Sequence, residues 1–434
     1  MSLKQSLSIF ICFFIFLITS VAQELSIEDF KNLKTSHQIN HIYRLTTHNN
    51  DGLLLADTRF DNGDLDGLLV HFDLNGKVLK EIRVGLINSF ERIVGLTKYD
   101  NGYYLLLNSV NEKHEASLLL YHLDKDLIIT STEEIEITEI KTANAVAFNP
   151  ISNELKIVVS VRDKEKNTFP RLVSYHVESK VQSYFDLNQK NRPEKENESA
   201  KMVTVIKDAK QTQQKPTPAQ MKAMGMKSSV DPFNKECVSI EFLDENYYEL
   251  LITGLENSST ITDFWVAKVM DNQIIWEGIF PTDIGGDEGK STFKTKDGYI
   301  VFGYEYTKKI DHHYSYRALI LNKNGKETAA KEFNTGKKDW FKDVERLGES
   351  YFLMFGQTQS VTREKSLEKK DKINTSNLWA ILVNDKGEMV TDYLHKTESI
   401  DEAFVLTKLK NGDSLIVYKS NDVLKIAKII LNLP

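Results

Sequence analysis

One phrase recurs along this chain, and the recurrence limits the fold more than any other feature. Residues 66–81 read DGLLVHFDLNGKVLKE: an apolar strand, a sharp Asp-Leu-Asn-Gly turn and a second strand. Residues 316–332, YRALILNKNGKETAAKE, restate it. Further copies are SLLLYHLDKDLIITSTEE (117–134), DFWVAKVMDNQIIWEG (263–278) and NLWAILVNDKGEMVTDY (377–393). Weaker forms are PRLVSYHVESKVQSYF (170–185) and DVLKIAKIILNLP (422–434). Self-similarity at a fixed period of about 20–50 residues marks a repeat architecture, in which each copy buries its apolar face against its neighbours.

Each copy follows a second recurring phrase, a polar turn and a strand, as in NNDGLLLADT (49–58), YDNGYYLLLNS (99–109) and TKDGYIVFGYE (295–305). Asp51-Gly52, Asn101-Gly102 and Asp297-Gly298 read as hairpin turns, because Asn, Asp and Gly tolerate positive φ. Another strand precedes each, among them INHIYRLTT, FERIVGLTK and EAFVLTKL. The unit is therefore four antiparallel strands in about 50 residues, rich in Val, Ile, Leu, Phe and Tyr. That unit predicts an all-β chain folded as one β-propeller of seven four-stranded blades, with six or eight left open. The last copy lacks an outermost strand. Residues 25–36 are expected to supply it or to lie across that edge, although SIEDFKNL also reads as a short helix capped by Ser26.

The third-strand phrase resembles the repeat of secreted bacterial β-propeller proteins. The pieces are Asp66-Gly67-Leu68 with Asp73-Leu74-Asn75-Gly76, Asp263-Phe264-Trp265-Val266-Ala267-Lys268 with Ile275-Trp276, and Asn384-Asp385-Lys386-Gly387. The resemblance implies the fold, export and a binding or scaffold role, and is almost silent on activity.

The N-terminus, MSLKQSLSIFICFFIFLITSVAQ, places Lys4 before an apolar run and small residues before Ala22, the layout of a signal peptide over 1–22. The propeller then spans 23–434. An uncleaved anchor is the competing reading, since Gln5–Gln23 is just long enough to span a bilayer. No later segment is apolar enough to cross a membrane, so no transmembrane segment is expected after cleavage. Cleavage removes Cys12 and leaves Cys237, read as a small buried residue rather than a disulfide partner. A formal net charge of −7 with both signs interspersed argues against a nucleic-acid partner.

Antiparallel strand order sends the second-to-third loops and the connections between blades to one end, and that end carries the elaborations. These are 58–67, 162–171, 307–316, 358–377 and a basic, proline-bearing insert over 188–235 with the composition of a flexible segment. Phe60, Phe169, Tyr314 and Tyr316 are candidate contact residues there, because aromatics dominate interface energetics. His312 and His313 join them; adjacent histidines do not readily share a metal in an extended chain, and no third ligand is evident. In the insert, Met221, Met224 and Met226 read as an adaptable apolar contact rather than a soft-metal site. Asp61, Asp64 and Asp66 in FDNGDLDG are a candidate calcium set without the EF-hand glutamate, and no other cofactor is expected. Asp283, Asp287 and Glu288 in TDIGGDEGK are candidate acids for glycoside chemistry. No P-loop, HExxH, CxxC or G-x-S-x-G accompanies them.

The leading expectation is a non-catalytic exported protein of the bacterial cell envelope, periplasmic or on the surface, that docks a protein or glycan through the long-loop face. The alternative is a carbohydrate-active enzyme, a glycoside hydrolase or lyase, using the acids at the channel mouth.

Overall fold

The computed structural model describes residues 24–59, 64–137, 140–162, 168–187, 235–244, 246–258, 261–282, 286–307, 313–363 and 371–432. Among these residues every regular element is a strand, β1 to β28, and no helix is long and apolar enough to cross a membrane. After β1 (Glu24–Asn32), consecutive strands form antiparallel groups of four. The first is β2 (Ile39–His48), β3 (Asp51–Arg59), β4 (Leu65–Phe72) and β5 (Val78–Val84). Next come β6 (Ser89–Tyr99), β7 (Gly102–Asn111), β8 (Ala116–Asp124) and β9 (Ile129–Ile135), then β10 (Ile140–Asn149), β11 (Glu154–Arg162), β12 (Thr168–His176) and β13 (Gln182–Asp186). β14 (Lys235–Phe242), β15 (Glu249–Ser258), β16 (Ile261–Met270) and β17 (Gln273–Phe280) precede β18 (Glu288–Lys294), β19 (Gly298–Thr307), β20 (His313–Asn322) and β21 (Glu327–Phe333). β22 (Lys338–Leu347), β23 (Tyr351–Arg363), β24 (Asp371–Asn384) and β25 (Met389–His395) lead to β26 (Asp401–Lys408), β27 (Ser414–Ser420) and β28 (Val423–Asn432).

The last three strands take their fourth from the other end of the described chain. β1 pairs antiparallel with β28, Leu25 opposite Leu431 and Ile27 opposite Ile429. Strand wins over the short helix because Leu25 and Ile27 alternate with Ser26 and Glu28, so one face is apolar at period two. That face is buried in a cluster with Leu378, Ile416 and Ile429. The free edge of β28 supplies the backbone partners that a helix would not use.

Burial runs in a gradient across each group. The second and third strands are apolar almost throughout and buried on both faces, as in β3 and β4. The outer strands β9 and β21 are mostly exposed. Apolar clusters lie between successive groups. Leu55 and Leu69 pack with Leu105 and Leu119, and Ile300 and Phe302 pack with Phe352 and Ile381. Leu54, Leu68 and Phe72 of the first group pack with Val405, Leu415 and Val417 of the last. Groups that stack face to face and return to their start make a β-propeller, with β2, β6, β10, β14, β18, β22 and β26 innermost.

Every inner strand carries a bulge at one register. The extra residues are Tyr43, Val94, Asn144, Val238, Lys290, Lys342 and Phe404. A bulge turns its side chain out of the ladder, and all seven side chains are half-buried.

The recurring D-x-x-G phrase has a local cause. Asp73 Oδ1 accepts from the backbone of Asn75 and Lys77, both at 2.9 Å, and Gly76 turns at φ +81°. Asn322 and Asn384 repeat the arrangement ahead of Gly325 and Gly387. An Asx side chain thus closes the loop and a left-handed residue ends it.

Three expectations are revised. The first hairpin turns at Asn49-Asn50 (φ 51° and 76°), with Asp51-Gly52 already inside β3. Gly102 serves close approach, since a Cβ there would lie 1.9 Å from the Leu123 carbonyl oxygen. The loop expected over 358–377 is largely ladder: β23 and β24 stay paired out to Arg363 and Asp371. Of the 188–235 insert, residues 188–234 lie outside the described residues, and Lys235 opens β14.

Candidate functional site

Strand direction brings the connections β3–β4, β11–β12, β19–β20 and β23–β24 to one end of the propeller, together with the entries into the inner strands. Three residues before the bulge, at this end, several inner strands carry a buried charge. Glu91, Asp339 and Asp401 sit on β6, β22 and β26, and Asp287 immediately precedes β18. Each takes donors that tie down the incoming connection. Glu91 accepts from Ser89 and from Ser109 Oγ at 2.9 Å. Asp339 accepts from Thr335 N and Oγ1 at 2.7 and 2.6 Å. Asp401 accepts from Thr397 Oγ1 and Ser399 Oγ, both at 2.8 Å. Asp287 accepts from Tyr306 N at 3.2 Å and faces Arg317 Nη1 at 3.4 Å; burial pushes its carboxyl up to about 6, against the pull of Thr282 and Arg317. On β14 the position is Lys235, 2.8 Å from Glu277, which also accepts from Trp265 Nε1 at 3.1 Å.

A single parallel pair, Leu65 with Phe90, joins the first two groups and sets Asp64 and Asp66 beside Ser89 and Glu91. Asp66 is buried and paired with Arg83, and Asp64 Oδ2 accepts from Asn88 N at 3.2 Å. Burial raises the Glu91 carboxyl, against donors from Ser89 and Ser109. Gly85 passes so close that a Cβ would lie 2.7 Å from Asp66 Oδ1 and 3.0 Å from Glu91 Oε2. Above this polar root the connection and the start of β6 turn apolar side chains outward: Ile87 is 86% exposed, Phe90 52% and Leu86 46%.

A second feature lies across the β18–β22 boundary. Tyr314 of β20 sits 4.5 Å, ring to ring, from Trp340 of β22, and 5.2 and 5.4 Å from Tyr306 and Tyr304. Lys338 Nζ lies 5.0 Å from the Trp340 ring. Glu288 accepts from Tyr304 Oη and pairs with Lys290. These side chains are half-buried, an aromatic and ionic rim rather than core.

The expected site residues therefore separate. Asp287 and Glu288, adjacent in sequence, are engaged in different directions, one by Arg317 and the other by Tyr304 and Lys290. Tyr314 reaches the rim, whereas Tyr316, two residues deeper on the same strand face, is fully buried against Phe341 and Trp379. Phe169 is buried under Arg171. His313 opens β20, paired with Thr307 through the backbone. Phe60, Asp61, Met221, Met224, Met226, Asp283 and His312 lie outside the described residues. Among the described residues no three His, Cys, Asp or Glu side chains gather to hold a metal ion. Leu86, Ile87, Phe90, Trp340 and Lys338 escaped the sequence reading. The cue for the first three was three large apolar residues in five, straddling a short connection and the start of β6.

No protein-family model matches the chain, and no curated protein matches it in sequence. Solved structures similar to it include a β-propeller domain and a WD40 domain. The WD40 domain of Toxoplasma gondii coronin has 10% identity over 95% of this chain and 87% of its own, with a TM-score of 0.48. The β-propeller domain of the Trilobed protease from Pyrococcus furiosus has 10% identity over 92% and 96%, with a TM-score of 0.46. Sqt1 from Chaetomium thermophilum has 10% identity over 95% and 100%, also at 0.46.

Proposed function

We propose that this chain is an exported, non-catalytic binding protein of the bacterial cell envelope, a seven-bladed propeller that docks a protein partner through its long-loop end. The observation that carries the reading is the outward-turned segment Leu86-Ile87-Phe90. Large contiguous apolar side chains on a soluble surface mark sites of protein contact, whereas scattered ones need no explanation. The segment is anchored through Asn88 to Asp64 and through Ser89 to Glu91, which presents it in one shape and lowers the ordering cost of docking. The Tyr314–Trp340 rim extends the same end with the residue types favoured at interfaces. The signal-like 1–22 segment supports export. The seven-blade count is supported by the single bulge register shared by the inner strands and by the contact of the last group with the first.

The test is affinity purification from the native envelope with wild type and with the double variant Ile87→Asp, Phe90→Ser. Both sites are exposed, so Tm should stay within about 2 °C of wild type. The co-purifying protein should be lost. Retention of the same partner by the variant overturns the reading, and so does binding to a polysaccharide matrix that the variant keeps.

A further inference from the structure

The root of the outward-turned segment is one proton short when Glu91 is a carboxylate. Ser89 Oγ reaches two acceptors, the Leu86 carbonyl oxygen at 2.8 Å and Glu91 Oε1. A serine hydroxyl has a single proton to give. Ser109 Oγ spends its own on the same Glu91 oxygen, at 2.9 Å. With Glu91 ionised, Leu86 O and Glu91 Oε1 therefore compete for one donor, and the charged acceptor wins. With a proton on Oε1, Glu91 donates to Ser89 Oγ, Ser89 donates to Leu86 O, and every link is made. The surroundings make the same demand. Pairing of Leu65 with Phe90 sets Asp66 of β4 beside Glu91, and both side chains are buried. Asp66 Oδ1 and Glu91 Oε2 lie 2.7 and 3.0 Å from the point where a Gly85 Cβ would stand, and neither has a hydrogen-bond partner among the described residues. Two carboxylates sharing one dry notch resist ionising together. Arg83 of β5 meets Asp66 through Oδ2, which makes Asp66 the charged member; among the described residues no cation pairs with Glu91. The other titratable groups facing the notch are Asp64, which accepts from Asn88 N, and Tyr121 of β8.

We propose that Glu91 is a proton-operated clasp on the segment Leu86–Phe90: protonated, it lets Ser89 hold the Leu86 carbonyl and fixes the segment; ionised, it takes Ser89 for itself and frees it. Burial raises the Glu91 carboxyl, against the donors Ser89, Ser109 and the Leu86 backbone and with added repulsion from Asp66. A closed-state pKa above the open-state value means a clasp fully present below the ordinary carboxylate range. It is lost as pH climbs through the raised value. The clasp deepens the docking reading and rests on it for its consequence, a contact surface set in one shape in acid and loosened as pH rises.

The experiment follows amide hydrogen exchange of residues 86–90 in the full chain from about pH 4 to pH 8, corrected for the intrinsic rate. In wild type the protection of the Asn88 amide should fall about tenfold across the range, since one pKa unit is a tenfold change in the opening equilibrium. Glu91→Gln, whose amide can donate to Ser89 at every pH, should keep the acid value throughout. Asp66→Asn should move the fall to lower pH. Carboxyl carbon shifts of glutamate-labelled wild type, read without disturbing the site, should show the Glu91 carboxyl titrating above the ordinary range. Equal protection at both ends of the range in wild type, a Gln variant that falls as wild type does, or a Glu91 carboxyl titrating in the ordinary range overturns the proposal. So does calcium restoring wild-type protection at the alkaline end, because a cation rather than a proton then joins the two carboxylates. None of these readings needs the partner: a flat profile leaves the capture result standing, and a failed capture leaves the clasp standing.

Discussion

At the scale of single residues, the molecule places charge at one repeated position and gives it different partners each time. Lys235 and Glu277 form an ion pair in which each side chain is only 3% exposed. A buried pair gains little over an apolar pair of the same shape, but breaking it leaves one charge without compensation. Lys235→Ala should therefore cost about 3–5 kcal/mol in urea unfolding, whereas Lys235→Met with Glu277→Leu should recover most of the loss. If the single and double variants are equally unstable, the pair's contribution is packing rather than charge. These buried acids were partly legible. SFERIV, GDEGKS, KKDWFK and SIDEAF all set an acid three residues ahead of the bulge. Without the register, though, Asp287 reads as a lone acid in a glycine-rich turn. Its burial against Arg317 is a fact of neighbouring strands, which local spacing does not encode.

At the scale of elements, strand order was legible because polar turns and apolar runs recur in the same order along the chain. Turn placement was not. Asn49-Asn50 and Asp51-Gly52 are both competent hairpin pairs, and the register of β2 against β3, with His48 opposite Asp51, chose between them. The extended β23–β24 arm was hidden by its polar composition, since ladder pairing beyond the core needs no apolar side chains. β1 was legible in place but not in type. Its Leu25 and Ile27 are buried, and burying each such side chain contributes about 1.5–3 kcal/mol. Ile27→Ala should lower stability by about 2–4 kcal/mol in denaturant titration. It should also expose the β28 edge to protease sooner than Ile429→Val does. Equal stability of wild type and Ile27→Ala would mean that β1 is not holding the seam.

At the scale of the whole molecule, each group depends on its neighbours for both apolar faces, so partial unfolding strands a face in water. Trp265 and Trp276 lie on β16 and β17, and Trp340 and Trp379 on β22 and β24. Variants retaining one of the two tryptophan pairs should therefore melt at the same midpoint by fluorescence, coincident with circular dichroism. Two separated midpoints would show that the ring divides into independent parts. The seam was legible as a requirement, because a missing outer strand leaves an edge, and β1 fills it beside β28.

The seam has a temporal side. The strand nearest the start of the described chain finds its partner only in the strand nearest the end, so β1 must idle through synthesis while every other pairing forms. Contacts between segments so distant in order are slow to make. The final latch thus reports completion: a chain halted anywhere upstream keeps two loose ends for quality-control proteases to find.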